Sequence, residues 1–128
     1  MIRPDTRRKS MLVVEDEKVI AEVCRRTLEA DYQVTLVPNG QAAMEMLASA
    51  DFDICLIDIR TPLMSGEELY LWIKDNKPSL LPGVIFTTGD VISNYTEHFL
   101  QSTGLPYLPK PFSPKELLST VEKVTTAL

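Results

Sequence analysis

A chain of 128 residues and 14.4 kDa holds one domain and not two, and its 45% hydrophobic and 24% charged residues are ordinary for a globular protein that needs no metal or disulfide staple. Its 13 basic and 18 acidic residues leave a net charge of −5, which argues against a nucleic-acid partner. The first ten residues carry +3, so residues 11–128 carry −8, an acidic body suited to a metal cation or a basic partner surface. Apolar runs such as Met11–Val14 fall far short of a membrane span, and no signal-peptide core follows the basic N-terminus. Cys24 and Cys55 sit among apolar residues without a C-x-x-C spacing. They read as buried free thiols in a reducing cytoplasm, and with the single His98 they exclude a zinc site.

Residues 1–9 are expected to be a disordered basic tail and residues 10–128 the folded domain. Met11–Val14 is a short β-type run, and Val19, Ile20, Val23, Cys24 and Leu28 then recur at the spacing of one helix face. Tyr32–Val37 forms a second strand, closed by Pro38-Asn39-Gly40, and Ala42, Ala43, Met46 and Leu47 mark a second helix. Ile54–Ile57 is apolar throughout, which indicates a strand covered on both faces. A third helix runs from about Glu67 to Asp75, with Tyr70 and Trp72 read as packing residues. Val84–Phe86 opens a fourth strand. A fourth helix covers about Ile92–Ser102, with Gly104 as its C-cap and His98 exposed. Pro106–Pro109 is a short fifth strand. Ser113-Pro114 then caps a fifth helix whose face is Leu117, Leu118, Val121, Val124 or Thr125, and Leu128. Five strands alternating with five helices define an α/β fold, a five-stranded parallel sheet with helices on both faces and right-handed crossovers.

In such a sheet, chemistry gathers at the carboxyl ends of the strands. Glu15 and Asp16 follow the first strand, Asp58 the third, Thr87 and Thr88 with Gly89 and Asp90 close the fourth, and Lys110 with Pro111 follows the fifth. Carboxylates crowded at one edge repel unless a cation compensates them, and hard carboxylate oxygens suit Mg²⁺. Singly, each residue has a plainer reading: Asp16 as a helix cap, Asp58 as a turn residue, Thr88 as a β-branched strand residue, Lys110 as a solvated loop lysine. Their joint placement outweighs those readings.

The runs MLVVEDE, DICLIDIRTPLMSG, VIFTTGD and YLPKPF, in this order and spacing, resemble the signature segments of the response-regulator receiver domain of two-component signalling, over about residues 10–128. The resemblance implies strand order 2-1-3-4-5. It implies Asp58 as phosphoacceptor, Mg²⁺ as cofactor held by Asp16, Glu15, Asp58 and the Arg60 backbone carbonyl, and Lys110 and Thr88 as groups that meet the phosphoryl oxygens. Tyr107 would be the aromatic whose orientation follows Thr88, and Pro111 would follow a cis peptide. Arg60 and Asp90, two residues beyond Asp58 and Thr88, are expected to pair across the pocket mouth and lengthen the phosphoryl lifetime. The implied donor is a histidine kinase or histidine phosphotransfer protein. The implied output surface, for a downstream protein, is the fourth helix, fifth strand and fifth helix.

On this reading the protein is cytoplasmic, binds no nucleic acid, inserts into no membrane, and is no enzyme beyond catalysing its own phosphorylation and dephosphorylation. It stands alone or is excised from a hybrid sensor kinase, since the chain ends at its fifth helix. Two other readings compete. One is a receiver that binds partners without phosphorylation. The other is an aspartyl-phosphate phosphatase of haloacid-dehalogenase type, disfavoured because Asp58-Ile59-Arg60-Thr61 has arginine where that family's second acid stands.

Overall fold

The computed structural model describes residues 8–89 and 93–128. Its elements alternate as expected: β1 (Lys9–Val14), α1 (Lys18–Leu28), β2 (Tyr32–Val37), α2 (Gly40–Ser49), β3 (Ile54–Asp58), α3 (Gly66–Asn76), β4 (Val84–Thr88), α4 (Asn94–Thr103), β5 (Tyr107–Pro109) and α5 (Pro114–Ala127). All strand pairs are parallel and the sheet order is β2-β1-β3-β4-β5.

The continuous apolar strands are divided between two cores by the two-residue period of a strand. Leu12, Val14, Cys55, Ile57, Val84 and Phe86 face the helices α2, α3 and α4. Met11, Val13, Ile54, Leu56 and Ile85 face α1 and α5. Each fully buried aliphatic or aromatic side chain contributes about 1.5–3 kcal/mol relative to exposure, so neither layer can be lost without unfolding the sheet. Tyr70, Phe86 and Phe99 form a ring cluster with centroids 5.4–5.9 Å apart, joining α3, β4 and α4.

Helix ends are specified locally. Asn39 accepts the Ala42 N–H at 2.8 Å at the start of α2, and Ser65 with Glu68 and Ser113 with Glu116 form capping boxes for α3 and α5. Gly104 ends α4 at φ +66°, where an L side chain is strained. Ser65 as cap places Gly66 in α3, one residue ahead of the expected start.

Several expectations are corrected. β1 begins at Lys9, the last residue of the expected tail, and the Arg8 guanidinium donates to the Glu29 carbonyl at 2.6 Å. Residues 1–7 lie outside the described residues, as do Asp90 and Ile92. Val19 is 78% exposed: α1 buries Ala21, Cys24 and Leu28, and Val19 lies five residues before Cys24, about 140° around the helix. Leu128 falls one residue past α5 and is 49% exposed. β5 starts at Tyr107, since Pro106 has no N–H, although its carbonyl still accepts from Phe86 at 3.0 Å. A 3-10 turn over Pro78–Gly83, for which the sequence reading has no element, links α3 to β4.

The β3–α3 loop holds an L residue in a disfavoured conformation. Leu63 has φ +70°, is 78% exposed, and sits in a tight turn closed by Met64 N–H to the Pro62 carbonyl at 2.8 Å. Thr61 Oγ1 braces the loop by donating to the Met64 carbonyl at 2.7 Å. Replacing Leu63 with glycine is expected to stabilise the domain by about 0.5–1 kcal/mol, because little burial is lost while a left-handed L residue costs about 1–2 kcal/mol. A higher denaturant midpoint at unchanged slope is the expected result, and a lower midpoint contradicts it.

Candidate functional site

Because all strands run parallel, the carboxyl ends of β1, β3 and β5 open on the same side of the sheet and bring Glu15, Asp16, Asp58 and Lys110 together. Asp58 is the last residue of β3 and not the first beyond it, so its backbone stays in the ladder opposite Thr87 and the residue is buried. One Asp58 oxygen accepts the Arg60 backbone N–H at 3.1 Å, and the other accepts Lys110 Nζ at 3.0 Å. Lys110 Nζ also lies 2.7 Å from Glu15 and 3.6 Å from Glu17. The backbone places this lysine: its N–H donates to the Thr88 carbonyl at 2.8 Å, and the Lys110–Pro111 peptide is cis, as expected.

Glu15 is buried, and its second oxygen accepts the Glu17 N–H at 3.0 Å. Burial pushes its carboxyl above the usual range, and the neighbouring Asp58 charge adds to this, against the opposing hydrogen bond from Lys110. Burial pulls the Lys110 ammonium down, but its hydrogen bonds to Glu15 and Asp58 and their charges outweigh that and hold it above its ordinary value. Asp16 is exposed at the pocket rim and is not a helix cap. Glu17 holds that position, and its side chain makes no capping hydrogen bond.

Glu15, Asp16 and Asp58 each offer a carboxylate oxygen within 4.8 Å of the others. Hard oxygens at that spacing, with one lysine answering them, fit a divalent cation of the Mg²⁺ type. The cavity above them is about 320 Å³ and is bordered by Asp16, Glu17, Asp58, Arg60, Gly89 and Lys110, wide enough for a phosphoryl group. A Cβ on Gly89 would stand 3.4 Å from the Lys110 stem, so a small residue here leaves the lysine its path.

Thr88 and Tyr107 line a second cavity of about 140 Å³, together with Thr96, Leu100 and Gln101. Thr88 is buried at the end of β4, and Tyr107 is 50% exposed. Arg60 borders the first cavity, whereas its expected partner Asp90 lies outside the described residues. Sequence reasoning did not single out Thr96, buried in the first turn of α4, or Glu17 as a neighbour of Lys110. The acidic run Glu15-Asp16-Glu17 carries a signal for Glu17. Nothing in the local pattern marks Thr96. Cys24 and Cys55 are free and buried, with thiols pushed up to about 12 by burial, and neither enters the site.

A doubly wound parallel sheet with an acidic cluster and an inward lysine at its carboxyl edge belongs to the class of α/β proteins that bind ligands at that edge, here with oxygen donors suited to a cation. Comparison with known proteins makes that class specific. The model of the response regulator receiver domain matches residues 11–122, and the chain belongs to that family, the receiver module of two-component signalling. The response regulator SaeR of Staphylococcus epidermidis is 35% identical over 109 residues, which cover 84% of this chain and 46% of that protein. SaeR of Staphylococcus aureus is 29% identical over 119 residues, covering 92% and 51%. The chain thus spans about half the length of the curated relatives it matches.

Among solved structures, a CheY-like receiver domain protein from Methanospirillum hungatei superposes with a TM-score of 0.83 at 27% identity, covering 94% of this chain and 96% of that one. The receiver domain of a histidine kinase from Syntrophus aciditrophicus gives 0.83 at 28% identity, covering 94% and 92%. No helix among the described residues is long and apolar enough to cross a membrane.

Proposed function

We propose that this receiver accepts a phosphoryl group on Asp58 from the phosphohistidine of a histidine kinase or histidine phosphotransfer protein. The observation that carries the reading is Lys110 Nζ, 3.0 Å from Asp58 and 2.7 Å from Glu15 in a pocket of three clustered carboxylates. An Asp58 carboxylate oxygen attacks phosphorus in line. The O–P bond forms as the N–P bond breaks, and the electron pair of that bond stays on the imidazole nitrogen. Transfer of this kind depends on positioning and charge more than on an acid or base. Lys110 turns from Asp58 toward the new phosphoryl oxygens, the Thr88 hydroxyl donates to them, and the Arg60 N–H holds the Asp58 carboxylate in place. Glu15, Asp16 and Asp58, with the Arg60 carbonyl, would hold Mg²⁺, whose charge lowers the repulsion between carboxylate and phosphoryl group.

The cavity shared by Thr88 and Tyr107 supports a link from the site to the surface of α4, β5 and α5, where a downstream protein would read the change. We place the protein in the cytoplasm, acting on its own aspartate and turning over no outside substrate.

Incubation with Mg²⁺ and a small phosphodonor, followed by intact mass, is expected to show one added phosphoryl group that Asp58→Asn abolishes. No adduct on the parent favours a phosphorylation-independent binding module. Repeated hydrolysis of a generic phosphate ester favours a phosphatase. The lifetime proposal has its own test: Arg60→Ala and Asp90→Ala are each expected to speed loss of the Asp58 phosphoryl group, and unchanged rates in both sink it.

A further inference from the structure

The order β2-β1-β3-β4-β5 leaves the sheet with two edges built differently. β5 is short, ends at Pro109 and lies between Pro106 and Pro111, so prolines blunt it against further pairing. β2 is Tyr-Gln-Val-Thr-Leu-Val, six residues with no charge and no proline. Its unbroken register with β1, from Lys9–Tyr32 to Val14–Val37, has no bulge. The features that usually guard an edge are missing from this one.

The outward backbone groups can be assigned. The Val37 carbonyl accepts the Glu15 N–H at 3.0 Å, so Val37 turns its polar groups toward β1. Alternate residues of a strand turn theirs the same way. Gln33 and Thr35 therefore serve β1, while Tyr32, Val34 and Leu36 present N–H and C=O outward. A groove of about 650 Å³ opens beside them, lined by residues that include Arg8, Arg26, Glu29, Gln33 and Val34.

We propose that β2 is the pairing edge for a second copy of this chain, joined antiparallel about a twofold axis at Val34. The outward residues dictate the register: Val34 meets the partner's Val34, Tyr32 meets the partner's Leu36, and Gln33 lies opposite the partner's Thr35. Like then meets like on both faces. Tyr32, Val34 and Leu36 all pack toward the α1 and α5 layer, where apolar pairs extend the existing core. Gln33 and Thr35 meet on the other face.

Charge favours a copy as the occupant. Beside this edge, α1 and its C-cap carry Glu22 and Glu29 against Lys18, Arg25 and Arg26, and Arg8 lines the same groove, so both signs meet here whereas residues 11–128 carry −8 overall. Two acidic bodies approach here with less repulsion than elsewhere, and a surface of mixed sign is self-complementary under a twofold. The antiparallel arrangement points the two Asp58 pockets in opposite directions, so pairing leaves both open.

Sedimentation of the whole chain from low micromolar to near-millimolar concentration is expected to show reversible dimerisation. Val34→Lys sets two ammonium groups opposite each other and should raise the dimer Kd about tenfold. Val34→Pro removes an N–H that β1 does not use and should leave a folded monomer by circular dichroism. Val34→Cys should cross-link copies under mild oxidation, because hydrogen-bonded antiparallel pairs hold Cα atoms about 5.5 Å apart, within disulfide reach. Gln33→Cys, two positions out of register with its own copy, should not cross-link, and Cys24 and Cys55 are too buried to compete. A monomer at every concentration overturns the proposal. So does a dimer that survives Val34→Lys and Val34→Pro and fails to cross-link through Val34→Cys.

Discussion

Lys110→Ala is expected to destabilise the domain by about 2–3 kcal/mol at pH 7 without divalent cations, and to abolish most phosphoryl uptake. The lysine side chain is 10% exposed and answers Glu15 and Asp58, themselves 4% and 5% exposed, so its removal leaves two desolvated carboxylates facing each other. Breaking a fully buried ion pair costs about 3–5 kcal/mol, and access of water to the open cavity reduces that figure here. The pH dependence has a definite sign. Glu15 already has its carboxyl raised above 4.5 by burial, and loss of the Lys110 hydrogen bond raises it further. A carboxyl raised in the folded state favours folding below its unfolded value, and that contribution is lost as pH climbs through the folded value. The gap between variant and parent should therefore be small near pH 4 and grow toward neutrality. Urea unfolding at several pH values measures it, and equal stability of the two proteins at pH 7 would show that Lys110 does not balance the pocket.

With Gly40→Ala, Gly83→Ala should be among the most damaging glycine-to-alanine changes, at about 3 kcal/mol or more. A Cβ there would fall 2.1 Å from the Asp53 carbonyl oxygen and 3.3 Å from the Ile54 Cα, both backbone atoms at the entry to β3. No rotamer relieves such a clash, so the 3-10 turn and the start of β4 must move away from the sheet. Against a total stability of about 5–15 kcal/mol, this is a large fraction. Gly104→Ala is the control. It has φ +66° but nothing within 4 Å, so only the left-handed backbone cost of about 1 kcal/mol applies. Thermal or denaturant melts of both variants compare the two costs, and a Gly83→Ala protein as stable as Gly104→Ala would refute the steric argument.

The alternation of elements was legible because each rule behind it is local. Ile54–Ile57 reads as doubly covered because a strand flanked by helices has no polar face, and Ser113-Pro114 reads as a helix start because the cap hydroxyl and the fixed proline φ act within one turn. Gly104 and Asn39-Gly40 follow the same logic. The site was legible for a related reason: strand ends can be located from hydrophobic runs, and the parallel topology then gathers the residues that follow them. Val19 was misplaced because an exposed valine and a buried one have the same letter. The helix phase that separates them comes from the row that actually packs, Ala21, Cys24 and Leu28.

What the chain states by itself is therefore the list of elements, the two-sided cover of the sheet, and which carboxylates, threonine and lysine sit at strand ends. Tertiary structure alone decides that Lys110 touches Glu15 at 2.7 Å as well as Asp58, that Thr96 closes the cavity shared by Thr88 and Tyr107, and that Gly83 has no room for a methyl group. It also decides which strand edge stays open. Contacts between residues far apart in sequence depend on how the layers pack, and no local spacing encodes that distance.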